Sequence, residues 1–208
     1  MKSFSCPSCG AEVQFKVASN ISLVCVYCHS LLIRHNLVLE NLGKEAQLQD
    51  SPGLLQLGTG GTYQRNAFSL VGKIRWDWEG GFWNEWFAYL DNGSTGWLAE
   101  AQGFLSFSVK LSERLSAPAL SDLHAGLTMS ITGKPFSVDD IKDCECKHFE
   151  GELPINPLGA KKTNVDLRGD GEAYANIEYS EGQTNFYLGQ YLEFDAFRFS
   201  NLRSIEGW

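Results

Sequence analysis

Hydrophobic and polar residues alternate most clearly on both sides of Asp91–Ser94. The runs Trp83–Leu90 and Thr95–Ala101 flank this segment, and Asn92-Gly93 at its centre favours a type I′ turn, because both residues tolerate a positive φ. We therefore predict an antiparallel hairpin. Side chains alternate between the two faces of a strand. One face is predicted to carry Trp83, Glu85, Phe87 and Tyr89, and the other Trp86, Ala88 and Leu90.

The same period of two recurs along the rest of the chain, and no sustained helical period follows Leu54. Further strands are predicted at Ser69–Trp78, Phe104–Lys110, Thr128–Thr132, Pro135–Asp140, Ile141–Glu150, Ala173–Tyr179, Gln183–Leu188, Tyr191–Phe194 and Arg198–Leu202. Polar or glycine-rich stretches at Gly151–Pro154 and Asp166–Gly171 indicate turns. The pattern is typical of an antiparallel β-sandwich or a partly open β-barrel.

Two Cys-x-x-Cys pairs lie near the start of the chain. Cys6 and Cys9 form the first pair, Cys25 and Cys28 the second, and fifteen residues separate them. This spacing is typical of a zinc ribbon, in which two tight turns supply four thiolates to one tetrahedral Zn²⁺. Four protein ligands complete the coordination of the metal, so we expect one structural zinc ion. Two disulfides or unliganded cysteines are the alternative.

These patterns predict a mainly β protein with two parts. Residues 1–35 form the zinc ribbon, 36–53 a connector and 54–208 an all-β domain. The connector contains Leu37, Leu39 and Leu42 among charged residues, which fits a short helix or a strand extension. Asp50-Ser51-Pro52-Gly53 then interrupts any regular structure.

Composition narrows the function classes. The 208 residues carry a formal net charge of −8 and are 12% aromatic. Such an acidic chain disfavours binding to the phosphate backbone, so no nucleic acid is expected as a partner. No apolar run has the roughly 20 residues needed to span a bilayer, and MKSFSCPSCG lacks a stretch of signal-peptide length. We expect a cytoplasmic protein that is not an integral membrane protein, in a compartment that keeps thiols reduced.

The candidate binding residues are aromatic side chains around one carboxylate. Trp83, Trp86 and Trp97 could line a groove, although alternation alone already explains their positions as a packed core. Glu85 interrupts an otherwise apolar face and needs a partner, such as an indole N–H. Glu152 is a second candidate, which could instead brace its own turn.

Cys144, Cys146 and His148 alternate and would share one face of a strand. Side chains along one strand lie roughly 6–7 Å apart per step, which suits the chelation of one ion poorly. Ordinary buried side chains are the favoured interpretation, with a second metal site as the alternative.

From about Ser51 to Trp208 the chain resembles a bacterial family of domains of unknown function, the one numbered 4178. The matching stretches are LQLGTGGTY, FSLVGKIRWDWEGGFWNEWFAYLDNGSTGWLAEAQG, GELP, VDLRGDGEAYANIEYS and NFYLGQYLEFDAF. A four-cysteine ribbon before this domain is also similar to arrangements in the family. The resemblance implies a mostly β domain and carries no catalytic mechanism.

The function expected from the sequence is that of a non-catalytic adaptor that binds another protein or a ligand. The alternative is a hydrolase-like enzyme that uses Glu85 and Glu152 as paired carboxylates. Such a pair should lie roughly 6–9 Å apart in an open pocket.

Overall fold

The computed structural model describes residues 2–44, 53–113 and 115–204. These residues form fifteen strands and two short 3₁₀ turns, so the predicted mainly β fold is confirmed. None of the described residues belongs to a helix long and apolar enough to cross a membrane.

The first five strands form what we call the cysteine module, residues 2–44. They are β1 (Lys2–Ser5), β2 (Glu12–Phe15), β3 (Ser22–Val24), β4 (Ser30–His35) and β5 (Val38–Lys44). Strands β1 and β2 form a hairpin, while β3, β4 and β5 pair in order. Buried residues from both parts share a small core with the cysteines: Val13, Phe15, Leu23, Leu32 and Leu39.

Eight of the remaining strands close into a ring, which we call the barrel. The strands after the module are β6 (Gly60–Tyr63), β7 (Asn66–Trp78), β8 (Gly81–Leu90), β9 (Thr95–Ala101), β10 (Phe104–Lys110), β11 (Thr128–Ile131), β12 (Lys134–Leu153), β13 (Lys161–Arg168), β14 (Ala173–Ser180) and β15 (Gln183–Leu192). Antiparallel pairing runs β7-β8-β9-β10-β15-β14-β13-β12 and returns from β12 to β7. A closed ring of eight strands leaves an interior that side chains fill or that holds one small ligand.

Strand β12 closes the ring with its two halves. Residues 137–145 pair with β13, residues 145–151 pair with β7, and residues 152–153 pair with β3 of the cysteine module. At the crossing, Gly151 lies opposite Gly72, and a Cβ on either would lie 2.2 Å from a backbone oxygen. The barrel is therefore partly open along the second half of β12, where Val17, Leu31 and Ile33 of the module join its interior core.

Two regions of the outer surface of the ring are covered by other parts of the chain. Residues Phe68, Leu70, Trp86, Ala88, Leu90, Leu98 and Phe107 pack on one side beneath the 3₁₀ turn Phe194–Phe197. Val165, Leu167, Ala175, Ile177 and Phe186 pack on the other beneath β11 and its flanking loop. The inner positions of the same strands are left to line the lumen.

The predicted hairpin and its two faces are confirmed, but the predicted turn type is wrong. Trp83 and Phe87 lie in the interior core, whereas Trp86, Ala88 and Leu90 lie in an outer one. In the turn, φ is positive at Gly93 but not at Asn92, and the Gly93 N–H donates to Leu90 O at 3.0 Å. This is a type I turn followed by a left-handed glycine, which also suits a hairpin.

Several boundaries differ from the sequence prediction. The two strands predicted at Gln183–Leu188 and Tyr191–Phe194 are one strand that ends at Leu192, and Phe194 begins a 3₁₀ turn. The segment Asp166–Gly171 is not a turn throughout, because Asp166, Leu167 and Arg168 lie within β13. The two strands predicted at 135–150 are one strand, with a register shift between Val138 and Asp140, and it continues through Gly151 to Leu153. Residues 198–202 form no strand and contribute one bridge, from Ser200 to Gly60.

The expected connector is partly regular structure. Val38–Lys44 forms β5 and extends the sheet of the cysteine module, as one of the two predicted forms. The rest of the segment, residues 45–52, lies outside the described residues. The division into domains at 35 and 53 stays a prediction.

Candidate functional site

Glu85 is the centre of a polar cluster inside the barrel. Its Oε2 accepts the indole N–H of Trp76 at 2.8 Å and its Oε1 that of Trp83 at 3.0 Å. Both indoles and Glu85 occupy inward positions on β7 and β8. The interpretation that an indole N–H satisfies this carboxylate is thus confirmed.

Lys162 reaches Glu85 from the other side of the lumen. It lies on β13, and its Nζ is 2.9 Å from Glu85 Oε1 and 3.1 Å from Oε2. The same ammonium pairs with Glu178 of β14 and lies 4.4 Å from the ring centroid of Trp76. Two carboxylates and an indole face therefore surround one buried cation, an arrangement in which each contact favours the charged lysine.

The electrostatics of the cluster follow from burial and pairing. Burial alone would lower the pKa of Lys162, but Glu178 and Glu85 outweigh it and raise that pKa above its ordinary value. Burial raises the pKa of Glu178 in spite of Lys162. Burial, with Glu178 beside it, also raises the pKa of Tyr187, whose hydroxyl hydrogen-bonds Glu178. These contacts favour the charged form of Lys162, which is not a nucleophile.

The cluster borders a cavity of about 1300 Å³. Phe87 and Trp97 form one apolar wall, with ring centroids 4.8 Å apart. Cys144 faces the same space, and burial raises the pKa of its thiol to about 12, so it is an inert part of the wall. Ser19 of the cysteine module and residues 154–156 and 159–160 of the loop after β12 complete the lining.

A second polar cluster continues along the same faces of β13 and β14. Asp166 Oδ1 accepts hydrogen bonds from Tyr174 Oη at 2.7 Å and from the amides of Asn164 and Asn176, each at 3.1 Å. Burial raises the pKa of Asp166, although these three bonds act in the opposite direction. The lumen therefore has a polar lining on β13 and β14 and an aromatic one on β7, β8 and β9.

The four cysteines of the module converge. Their sulfurs all lie within 4.8 Å of one another, with Cys6 Sγ 3.7 Å from Cys28 Sγ and Cys9 Sγ 3.9 Å from Cys25 Sγ. Disulfide bonds would require about 2.05 Å, so that alternative does not describe this geometry. A tetrahedral ion with metal–sulfur bonds of about 2.3 Å places its ligands about 3.8 Å apart. The four thiolates could hold one metal ion.

The two cysteine turns share one backbone hydrogen bond and one residue with positive φ. The Cys6 carbonyl accepts the N–H of Gly10 at 2.8 Å, and the Cys25 carbonyl accepts the N–H of His29 at 2.8 Å. Gly10 and His29 both have positive φ, 76° and 57°. His29 therefore occupies the position that a glycine takes in the first turn.

Glu152 lies elsewhere and has a different role from Glu85. Its carboxylate accepts the backbone N–H groups of Lys16 and Val17, at 3.0 and 3.2 Å, and the side-chain amide of Asn20 at 3.1 Å. It does not line the cavity; it binds the cysteine module rather than bracing its own turn. The structure does not bring Glu85 and Glu152 together in one pocket.

Of the other predicted residues, some lie in the lumen and some lie outside it. Trp83 and Trp97 belong to the lumen, but Trp86 points to the outer core and donates its N–H to Glu100 at 3.2 Å, so the predicted groove does not include it. Cys144 and Cys146 are buried in the interior core, and the register shift between Cys146 and His148 breaks their alternation. Among the described residues, the four cysteines of the module are the group with metal-ligand geometry.

Sequence reasoning missed Lys162, Glu178 and Tyr187. The signal was present, since Lys162, Asn164 and Asp166 alternate with Val165 and Leu167. A strand with polar residues on one face and apolar residues on the other fits a barrel whose lumen is polar. The turn assigned at Asp166 concealed this pattern.

Comparison with known families covers the barrel. The family model described as Domain of unknown function (DUF4178) matches residues 56–194, a range that contains all eight strands of the ring. No curated protein and no solved structure matches the chain. Because the family match spans well over half of the 208 residues, the chain belongs to the DUF4178 family.

Proposed function

We propose that the barrel is a non-catalytic receptor for a small organic ligand, which binds in the lumen. The observation that carries this proposal is the 1300 Å³ cavity between the Phe87–Trp97 wall and the Glu85–Lys162–Glu178 cluster. Ligand sites are mostly apolar concavities with a few converging polar groups, and this cavity has both features. A lumen that served only as a core would be filled by its own side chains.

The adaptor expected from the sequence binds either a small ligand or another protein. The cavity favours a small molecule for the barrel. A protein partner of the cysteine module stays a proposal, for which the exposed Val26 and Tyr27 between Cys25 and Cys28 are available. A cytoplasmic location, which would keep the four thiols reduced, belongs to the same proposal.

We infer that the metal of the cysteine module is one structural Zn²⁺. The sulfur separations fit tetrahedral thiolate coordination, and four protein ligands leave no position for a substrate. Its role would be to stabilise the module that packs against the open side of the barrel. Elemental analysis of protein produced with zinc available should find about one zinc per chain; a metal-free folded protein would contradict the assignment.

A hydrolase-like enzyme is the alternative. Glu85 and Glu152 are not a pair, so a catalytic pair would have to be Glu85 and Glu178, which both contact Lys162. Each oxygen of Glu85 already accepts one indole N–H and contacts the ammonium of Lys162. A carboxylate engaged in this way is poorly placed to move a proton, which favours the receptor.

The receptor is tested by titrating the full chain with a panel of small aromatic alcohols, amines and acids. We expect saturable binding of at least one of these classes. Calorimetry and the fluorescence of the lumen tryptophans measure it. Trp97→Ala should weaken it about tenfold, because an aromatic contact is worth about 0.5–1.5 kcal/mol beyond the apolar area that it buries. Phe104→Ala is the matched control, since Phe104 is 71% exposed and outside the cavity.

Two outcomes would contradict the receptor. One is the failure of every class to bind at millimolar concentration. The other is binding that Trp97→Ala and Phe104→Ala leave equally unchanged, which would place the ligand outside the lumen.

A further inference from the structure

The lumen already contains a binding site for an ammonium group, which the protein's own Lys162 occupies. Two carboxylates contact its Nζ, and the ring of Trp76 lies 4.4 Å from it. Carboxylates combined with aromatic faces are the groups by which proteins recognise organic cations. The chemistry of the interior is therefore suited to positive charge.

One lysine does not balance the two carboxylates. Glu85 and Glu178 together carry one more charge than Lys162 when both are ionised. Burial raises the pKa of Glu178 even with the ammonium in contact, so the surplus negative charge is incompletely stabilised. Glu178 borders the cavity, and its two oxygens offer about four acceptor positions, of which Lys162 and Tyr187 use two.

Negative charges outnumber positive charges along the cavity lining. Among the described residues, seven carboxylates but four lysines line the cavity: Asp77, Glu79, Glu85, Asp143, Glu145, Glu178 and Glu181 against Lys110, Lys147, Lys161 and Lys162. Arg75, which pairs with Asp77 at 2.7 Å, leaves the carboxylates in excess. An excess of one sign of charge in a cleft favours ligands of the opposite sign.

The apolar wall determines the rest of the ligand. Phe87 and Trp97 face the cavity as a tilted pair, and Ile74 lies beside them. These side chains offer contact area to an alkyl or aromatic body but no partner for a second charged group. The ligand should therefore have one cationic end and one apolar end.

We propose that the lumen binds a small organic cation, with its ammonium group directed at Glu178 and its apolar part against Phe87 and Trp97. The proposal rests on the proposed receptor function and adds the chemical class of the ligand. A neutral or an anionic ligand of the same shape should bind less well, because neither would relieve the excess charge of the carboxylates.

Three probes that differ only in their end group test this proposal. They are 3-phenylpropylamine, which is cationic at neutral pH, 3-phenylpropanol and 3-phenylpropionate, titrated into the full chain by calorimetry. The amine should bind at least about tenfold more tightly than the alcohol, as expected for one charge-assisted hydrogen bond. The acid should bind more weakly than the alcohol.

Glu178→Gln should bring the amine to within about twofold of the alcohol while the alcohol retains its affinity. Glu172→Gln is the matched control, because Glu172 is exposed and does not line the cavity. It should leave the preference for the amine unchanged.

The outcomes separate the two proposals. Equal or tighter binding of the alcohol or the acid would overturn the cation preference and leave the receptor intact. No binding of any probe at millimolar concentration would overturn both. The wild-type comparison decides the ligand class even if Glu178→Gln does not fold.

Discussion

Glu152 Oε1 accepts the backbone N–H of Lys16 at 3.0 Å, across 136 positions of the sequence. The carboxylate stands at the end of β12, and its other oxygen accepts Val17 N–H and the Asn20 side chain. One buried side chain of the barrel strand thus satisfies three donors of the cysteine module. Together with the pairing of β3 with β12, it fixes the module against the open side of the barrel.

Glu152→Gln should loosen this attachment. The glutamine amide has one accepting oxygen, so its NH₂ would face a backbone N–H that is then left without an acceptor. A buried unsatisfied group costs about 1–3 kcal/mol. We expect the free energy of unfolding to fall by this amount and the amides of Lys16 and Val17 to exchange faster with deuterium.

Glu12→Gln is the control for this change, because Glu12 is exposed on β2 of the same module. It should alter stability by less than about 0.5 kcal/mol. Unchanged exchange at Lys16 in Glu152→Gln would show that β3–β12 pairing alone holds the module.

Lys162→Met should destabilise the barrel by about 3–5 kcal/mol, measured by urea denaturation. The change leaves two buried carboxylates without their cation, and breaking one side of a buried ion pair costs this much. Lys147→Met should cost less than about 1 kcal/mol, because its pair with Glu145 is half exposed.

The triple variant Glu85→Gln, Glu178→Gln and Lys162→Met separates charge from packing. Removing all three charges should recover part of the stability lost in Lys162→Met, because the charge imbalance is gone but the single oxygen of the glutamine at position 85 leaves one of two indole N–H donors unsatisfied. Failure to recover any of this stability would mean that the lysine acts through its packing on Trp76 rather than through its charge.

Asp166→Asn should change the pH dependence of stability. Burial raises the pKa of folded Asp166 above the ordinary 3.8, so the folded state binds more protons than the unfolded state between those two values. The free energy of unfolding therefore falls as pH rises through this window. The variant should lack that fall, and should equal or exceed the wild type in stability at neutral pH.

The asparagine is a close replacement, because all three donors reach Oδ1, which it keeps. The groups facing Asp166 are Tyr174, Asn164 and Asn176, with Glu85 as the nearby charge. Urea unfolding from pH 3 to 8 measures the free energy of unfolding of the variant and of the wild type. The difference between the two curves gives the contribution of this carboxyl to the pH dependence. An identical slope in both proteins would contradict the raised pKa.

Removal of metal should destabilise the cysteine module. A ligand that binds only the folded state stabilises it by mass action, so a chelator should lower the melting temperature and added zinc should restore it. Cys25→Ser should abolish that response. Cys144→Ser is the matched control, since this buried cysteine lies outside the cluster and its loss should leave the zinc response intact.

Local patterns predicted much of this fold. The two faces of β8 and the hairpin around Gly93 follow from alternation and turn residues alone. The cysteine cluster follows from spacing, because both cysteine pairs lie in tight local turns. The turn type could not be read, because Asn92-Gly93 fits more than one hairpin geometry.

The lumen was harder to predict because its contacts cross the ring. Glu85 and Lys162 are 77 residues apart and meet only once β12 has closed the barrel. The need of Glu85 for a partner was evident from its apolar neighbours, but nothing local identified the lysine. Trp86 was assigned to the groove for its residue type, although its position in the alternation already placed it on the other face.

The division of β12 among three partners has a consequence for the order in which the chain can fold. Strands β7 to β10 precede it and can pair locally, yet neither edge of that sheet can be joined into a ring before residues 134–192 have been synthesised. Strand β3 likewise gains its barrel partner only when residues 152–153 emerge. Pairings so distant in sequence fold slowly, so we expect the half-made chain to expose the outer face of β7–β10 until the turn Phe194–Phe197 covers it.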